Sequence, residues 1–193
     1  MEKVPRSWRG VCNRFNRSPE EVQAYFSDIP ELIETYDWEV SLGFMFTRLE
    51  KALNRMLYCG AVKMHRAESE KAKEMVNKHH MTRKEFRRLF NNVFGKPVRK
   101  ELTTILQEAE EVRDKVVHGK NASAPDQRKA IVRLLEYAEG MNDQVNELAG
   151  FKPFTSDLRG FTGRREALDK ATTAWLMKGL GFQRKSAEDA DAS

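Results

Sequence analysis

The run Arg113-Asp114-Lys115-Val116-Val117-His118-Gly119 holds the residue types best suited to chemistry in this chain. Arginine offers a planar, permanently charged fork that fits phosphate oxygens, and histidine moves protons near neutral pH. Together they form a minimal kit for breaking an RNA phosphodiester without a metal, one group stabilising charge on the phosphate and the other relaying a proton. An arginine and a histidine at this spacing meet by chance about once in a chain of this composition, so the spacing alone decides nothing. The context carries more. The pair lies in the final turns of an amphipathic segment, ahead of a glycine stop and a polar loop. Asp114 and His118, four apart, share a helical face, so Asp114 is expected to accept a hydrogen bond from the imidazole and orient it. Arg113 lies about 100° round the helix from Asp114, and its long side chain can reach a phosphate beside the ring. The competing structural reading pairs Arg113 with Glu108, Glu110 or Glu111 and lets His118 complement the helix C-terminal dipole.

Charge is unevenly placed around this segment. Arg83, Lys84, Arg87, Arg88, Lys96, Arg99 and Lys100 stand against one anion, Glu85. Glu101, Glu108, Glu110 and Glu111 then follow with no intervening cation. Arg83, Lys84, Arg87, Arg88, Arg99 and Lys100 are therefore candidate RNA-binding residues, with a solvated helix face as the plain alternative.

Periodicity predicts an all-α chain. Ser18-Pro19-Glu20-Glu21 reads as a capping box that opens a first helix, ending near Asp28 ahead of Pro30. From Val40, the residues Leu42, Met45, Phe46, Leu49, Ala52, Leu53, Met56 and Leu57 make one continuous stripe. The charged stretch from Gly60 to His79 reads as a helical continuation or an exposed arm. Thr82-Arg83-Lys84-Glu85 is a second capping box, for a helix that stops at Gly95-Lys96-Pro97. The next helix, from about Val98 to His118, is expected to bury Leu102, Ile105, Leu106, Ala109, Val112, Val116 and Val117. A last long helix carries Ile131, Leu134, Leu135, Ala138, Met141, Val145 and Leu148. Amphipathic helices with short connections most simply form a four-helix bundle. The expected organisation is an N-terminal arm with a short helix at 1–35, a bundle at 36–149, a C-terminal helical appendage at 150–182 and a disordered tail at 183–193. The appendage contains a helix from about Arg164 to Leu180, displaying Leu168, Ala171, Trp175 and Leu176.

The chain has 193 residues and a formal charge of +5. No apolar run approaches the roughly 20 residues that cross a bilayer, and the basic N-terminus lacks the apolar stretch of a secretory signal, so a cytoplasmic protein is expected. Cys12 and Cys59 form neither a disulfide framework nor a metal site and are read as reduced thiols. Glycine-rich phosphate loops and Cys/His clusters of metal spacing are absent, so neither metal nor cofactor is expected. His79 and His80 point about 100° apart on a helix, badly aimed for one ion, and His65 reads as solvated. Trp8, Trp38 and Trp175 are assigned to packing rather than to base stacking.

From Tyr36 to Ala149 the helix order, with a late helix ending in arginine, a polar residue, three more residues and histidine before a glycine, resembles the HEPN superfamily. Many of its members are metal-independent endoribonucleases of toxin, antiphage and RNA-processing systems. The resemblance implies Arg113 and His118 as catalytic, Asp114 at the polar position, and a homodimer whose two motifs meet at the interface. It also implies RNA as substrate and an antitoxin or defence-system protein as partner. Some members carry a tyrosine two residues after the histidine, where an antitoxin modifies it. Lys120 stands there in this chain, which leaves plain binding as the mode of neutralisation. The rival expectation is a non-catalytic helical module that binds a protein or RNA.

Overall fold

The computed structural model describes residues 5–79, 81–158 and 166–182. Among them are nine helices and no strand: α1 Trp8–Phe15, α2 Glu20–Tyr25, α3 Ile29–Thr35, α4 Trp38–His65, α5 Ser69–Lys78, α6 Arg83–Phe94, α7 Lys100–Val117, α8 Ala124–Ala149 and α9 Lys170–Gly179. None is long and apolar enough to cross a membrane. The expected tail at 183–193, the start of the last helix at Arg164, and His80 lie outside the described residues.

The chain divides into two packed units. The first takes residues 1–51, 99–146 and 152–157, and the second takes 52–98, 147–151 and 158–193. The expected limits at 35, 149 and 182 do not coincide with these boundaries. α4 supplies residues to both units, and its predicted stripe from Leu42 to Leu57 is buried throughout. In the first unit α7 and α8 run antiparallel, since Leu102 lies beside Gly140 and Glu108 bonds Arg133. A Cβ on Gly140 would run into the Leu102 side chain, so the missing side chain lets the two helices approach.

The second and third helical starts were legible only in part. Ser18 does not cap α2, whose N-cap is Pro19 without a side-chain hydrogen bond. The Ser18 hydroxyl instead accepts from Arg14 Nη1 at 3.0 Å, because the buried Arg14 needs it. That arginine also donates twice to Glu139, at 2.9 and 2.8 Å. A buried charge must be paired and hydrogen-bonded, and this demand outweighs a helix cap. α2 ends at Tyr25, ahead of Pro30 as expected, and Pro30 then sits in the first turn of α3, where its missing N–H costs nothing. α1, which lies within the stretch expected as an N-terminal arm, buries Val11 and Phe15.

Other expectations meet a mixed outcome. The capping box Thr82/Glu85 is present in full, and α6 ends at Gly95. α4 ends at His65, and after Arg66 at φ 61° the charged stretch folds back as α5, which buries Ala72 and Val76. It is therefore not a bare exposed arm. α9 turns Thr173 and Met177 inward and leaves Trp175 76% exposed, so the expected apolar face is not the buried one. His65 is not free in solvent, because its Nε2 donates to the Val93 carbonyl at 2.7 Å.

In the first unit, Phe154 is fully buried, with its ring edge-on to Tyr25 and Tyr137. Asn142 of α8 brackets its backbone: Asn142 Nδ2 donates to the Phe154 carbonyl at 2.9 Å, and the Phe154 N–H donates to Asn142 Oδ1 at 2.7 Å. Asn142 thus meets two backbone groups that have no helix to serve them. Replacing Asn142 by Ala strands both, at a cost of about 2 kcal/mol or more. Thermal melts of Asn142→Ala are expected to fall by roughly 5 °C or more, and an unchanged midpoint would contradict this account.

Candidate functional site

The motif residues occupy the C-terminal end of α7 in the first unit. α7 closes with a Schellman turn. His118 is the C-cap, Gly119 takes φ 63°, and the Lys120 N–H donates to the Lys115 carbonyl at 2.8 Å. Gly119 also donates to the Val116 carbonyl at 3.1 Å. Glycine reaches this left-handed conformation without steric cost, and so the helix stops here and the chain turns into a polar loop.

The end of α7 is less buried than its periodicity implies. Leu102, Leu106 and Ala109 are buried, whereas Ile105, Val112 and Val116 are half-buried and Val117 is 69% exposed. The apolar stripe thus emerges into solvent one residue before His118. His118 is itself exposed, and its ring makes no hydrogen bond among the described residues.

Arg113 is held on two sides. Its guanidinium carbon stands 4.9 Å from the centre of the Phe46 ring. Its Nε and Nη2 donate to Asp114 Oδ1 at 3.1 and 2.7 Å. The aromatic face and the carboxylate fix the plane of the fork, and the Nη1 edge makes no hydrogen bond among the described residues. Asp114 was expected to orient the imidazole. Its carboxylate is instead taken by the neighbouring guanidinium, whose long stem folds back along the helix. None of the expected pairings of Arg113 with Glu108, Glu110 or Glu111 is among its described bonds. The sequence reading placed Phe46 in the α4 stripe, where it does belong, but its second role under a cation carries no periodic signal.

The basic block is distributed. Arg99 and Lys100 lie at the start of α7 in the first unit, Arg99 half-buried and Lys100 exposed. Gln144 Oε1 accepts the Arg99 backbone N–H at 3.1 Å and so fixes the helix start. Arg83, Lys84, Arg87 and Arg88 lie on α6 in the second unit. α6 buries Phe86, Leu89, Phe90, Val93 and Phe94, so Lys84, Arg87 and Arg88 lie off that face, whereas Arg83 is half-buried beside it. Lys84, Arg87 and Arg88 are exposed, and Arg88 also donates to the Gly181 carbonyl at 3.4 Å.

Beside the motif, a small cavity of about 170 Å³ opens between α7 and α8, lined in part by Val112, Lys115 and Asp126. Its wall is an ion network that sequence reasoning did not find. Glu108 Oε2 receives Lys129 Nζ at 3.1 Å and Arg133 Nε at 3.0 Å, and Arg133 Nη1 donates to Glu136 at 2.6 Å. The hydrogen bond from Lys129 and the charges of Arg133 and Lys129 outweigh desolvation and hold the Glu108 carboxyl below its usual range. Among the described residues no group of three His, Cys, Asp or Glu side chains is placed to hold a metal ion. Comparison with protein-family models, with curated proteins and with solved structures finds no match.

The Glu108 network sets a pH signature. A depressed carboxyl adds stability that is present above its unfolded-state pKa of about 4.3 and is lost as pH falls through the lower folded value. Glu108→Gln is expected to lower the melting temperature at pH 7, with the deficit against the parent closing below about pH 4. Paired melts at pH 7 and pH 3 check this. A deficit of the same size at both would assign the loss to packing.

Proposed function

We propose that this chain is a metal-independent endoribonuclease of HEPN type, a helical bundle with a C-terminal appendage that acts as a homodimer. The observation that carries the reading is the exposed end of α7. There a guanidinium fixed by Phe46 and Asp114 keeps its Nη1 edge open, close in sequence to an exposed imidazole. A pre-oriented cation meets phosphate at little reorganisation cost, which is what transition-state stabilisation requires.

In this mechanism the RNA 2′-hydroxyl attacks the adjacent phosphorus and gives its proton to His118 of one subunit. The 5′-oxygen of the next nucleotide leaves and takes a proton from the second imidazole, giving a 2′,3′-cyclic phosphate and a 5′-hydroxyl. Arg113 stabilises the phosphoryl oxygens, and Asp114 positions Arg113. One Arg113–His118 pair offers a single imidazole, whereas two pairs related by a two-fold axis supply two, for acid and base together. The exposed Val117 beside His118 suits such an interface. Arg83, Lys84, Arg87, Arg88, Arg99 and Lys100 are assigned to the RNA backbone by their charge. A cytoplasmic toxin or defence effector with a neutralising partner protein fits this chemistry. A second reading, a non-catalytic binding module, draws on the Asp114 carboxylate that already meets the Arg113 charge.

Incubation with total RNA in EDTA is expected to give cyclic-phosphate ends, and DNA, lacking the 2′-hydroxyl, is expected to stay intact. Arg113→Ala and His118→Ala are each expected to abolish cleavage and to change stability by about 1 kcal/mol or less, since both lie at an exposed helix end. Mixing the two variants is expected to restore part of the activity through a composite site. Strict Mg²⁺ dependence, or full activity in either folded variant, would refute the assignment.

A further inference from the structure

The second unit contains a larger cavity, of about 590 Å³, between α5 and α9. Its size lies within the roughly 300–1,000 Å³ of small-molecule sites. The N-terminal ends of the two helices meet, Lys170 pairing with Glu70 at 3.3 Å and the Glu68 N–H donating to Thr173 Oγ1 at 2.8 Å, and their C-terminal ends meet at His79 and Phe182. Both N-termini are already served, α5 by the Glu68 carboxylate and α9 by the Asp169 carboxylate. The cavity lies further along, beside Met75 and Ala174, and Phe182 forms its far wall.

That wall is built rather than incidental. Phe182 is 1% exposed, and its N–H donates to the Met177 carbonyl at 2.9 Å, closing the end of α9. Asn92 of α6 donates to the Leu180 carbonyl at 2.9 Å, and the His79 ring stands edge-on to Phe182 at 5.7 Å. The Phe182 ring is thus anchored from α6 and from the end of α5.

The polar lining has one dominant sign. Among the described residues, Lys71, Lys78 and Lys178 line the cavity with a single carboxylate, Glu74. Glu74 takes Lys71 at 2.8 Å and Lys78 at 2.6 Å, and these bonds, Lys71 first, hold its carboxyl down to about 2. Lys178 has no carboxylate partner among the described residues. An apolar strip of Met75, Ala174 and Phe182 is therefore flanked by the Lys178 ammonium group, which meets no carboxylate among the described residues, and by two more that one anion shares. Methionine adapts its shape to a flexible chain, and an ammonium group offers an anionic head a charge-assisted hydrogen bond.

The geometry points to this cavity as a binding site for a free aliphatic carboxylate, with its chain along Met75, Ala174 and Phe182 and its head at Lys178. The site is independent of the Arg113–His118 chemistry. Calorimetric titration of the full chain with decanoate, below its micelle concentration and at low salt, tests it. Saturable binding of one equivalent is expected, with decanol and decyltrimethylammonium binding at least about tenfold more weakly. Lys178→Gln is expected to weaken decanoate binding about fivefold or more. Glu74→Gln frees Lys71 and Lys78 and is expected to tighten it, an effect that loss of a surface ion pair alone would not produce. Both side chains are solvent-accessible, so both variants are expected to fold, as circular dichroism will show. No saturable binding, equal affinity for decanol, or indifference to both substitutions would overturn the proposal.

Discussion

Burial of the α4 stripe is the constraint from which the rest follows. A helix of 28 residues with one apolar face must have that face covered along its length, and α4 contributes to both units. Leu42, Met45, Phe46 and Leu49 belong to the core of the first unit, and Ala52, Leu53, Met56 and Leu57 to that of the second. Because Phe46 is locked in this stripe, the cation above it has a fixed floor. The site therefore inherits its order from core packing and not from the loop that follows it.

The helices legible in the sequence were those whose signals are local. α4 and α8 declare themselves by period, α6 by its capping box, and α7 by period together with Gly119. The unreadable parts depend on partners distant in the chain. Ser18 looked like a cap because its neighbours make it one, yet Arg14 claims it on account of Glu139, 125 positions away. α9 looked apolar along the Trp175 side, but the face turned inward was chosen by its fit to α5.

The candidate site divides in the same way. Residue types and spacing at Arg113 and His118 were open to reading, and so was the helix end that displays them. The partner of Asp114 was not. Helical spacing puts Asp114 on the face of His118, but an adjacent arginine with a long stem can fold back on a carboxylate at any position. Periodicity describes where Cβ atoms point and says little about where flexible cationic side chains end.

Trp175 gives this protein a built-in optical label. It is 76% exposed, while Trp8 and Trp38 are half-buried and each has an arginine guanidinium near its ring. Indole in water emits to the red of indole in a packed setting and meets dissolved quenchers freely. The red edge of the intrinsic emission, quenched by a neutral quencher such as acrylamide, therefore reports chiefly on α9, without any dye or added cysteine.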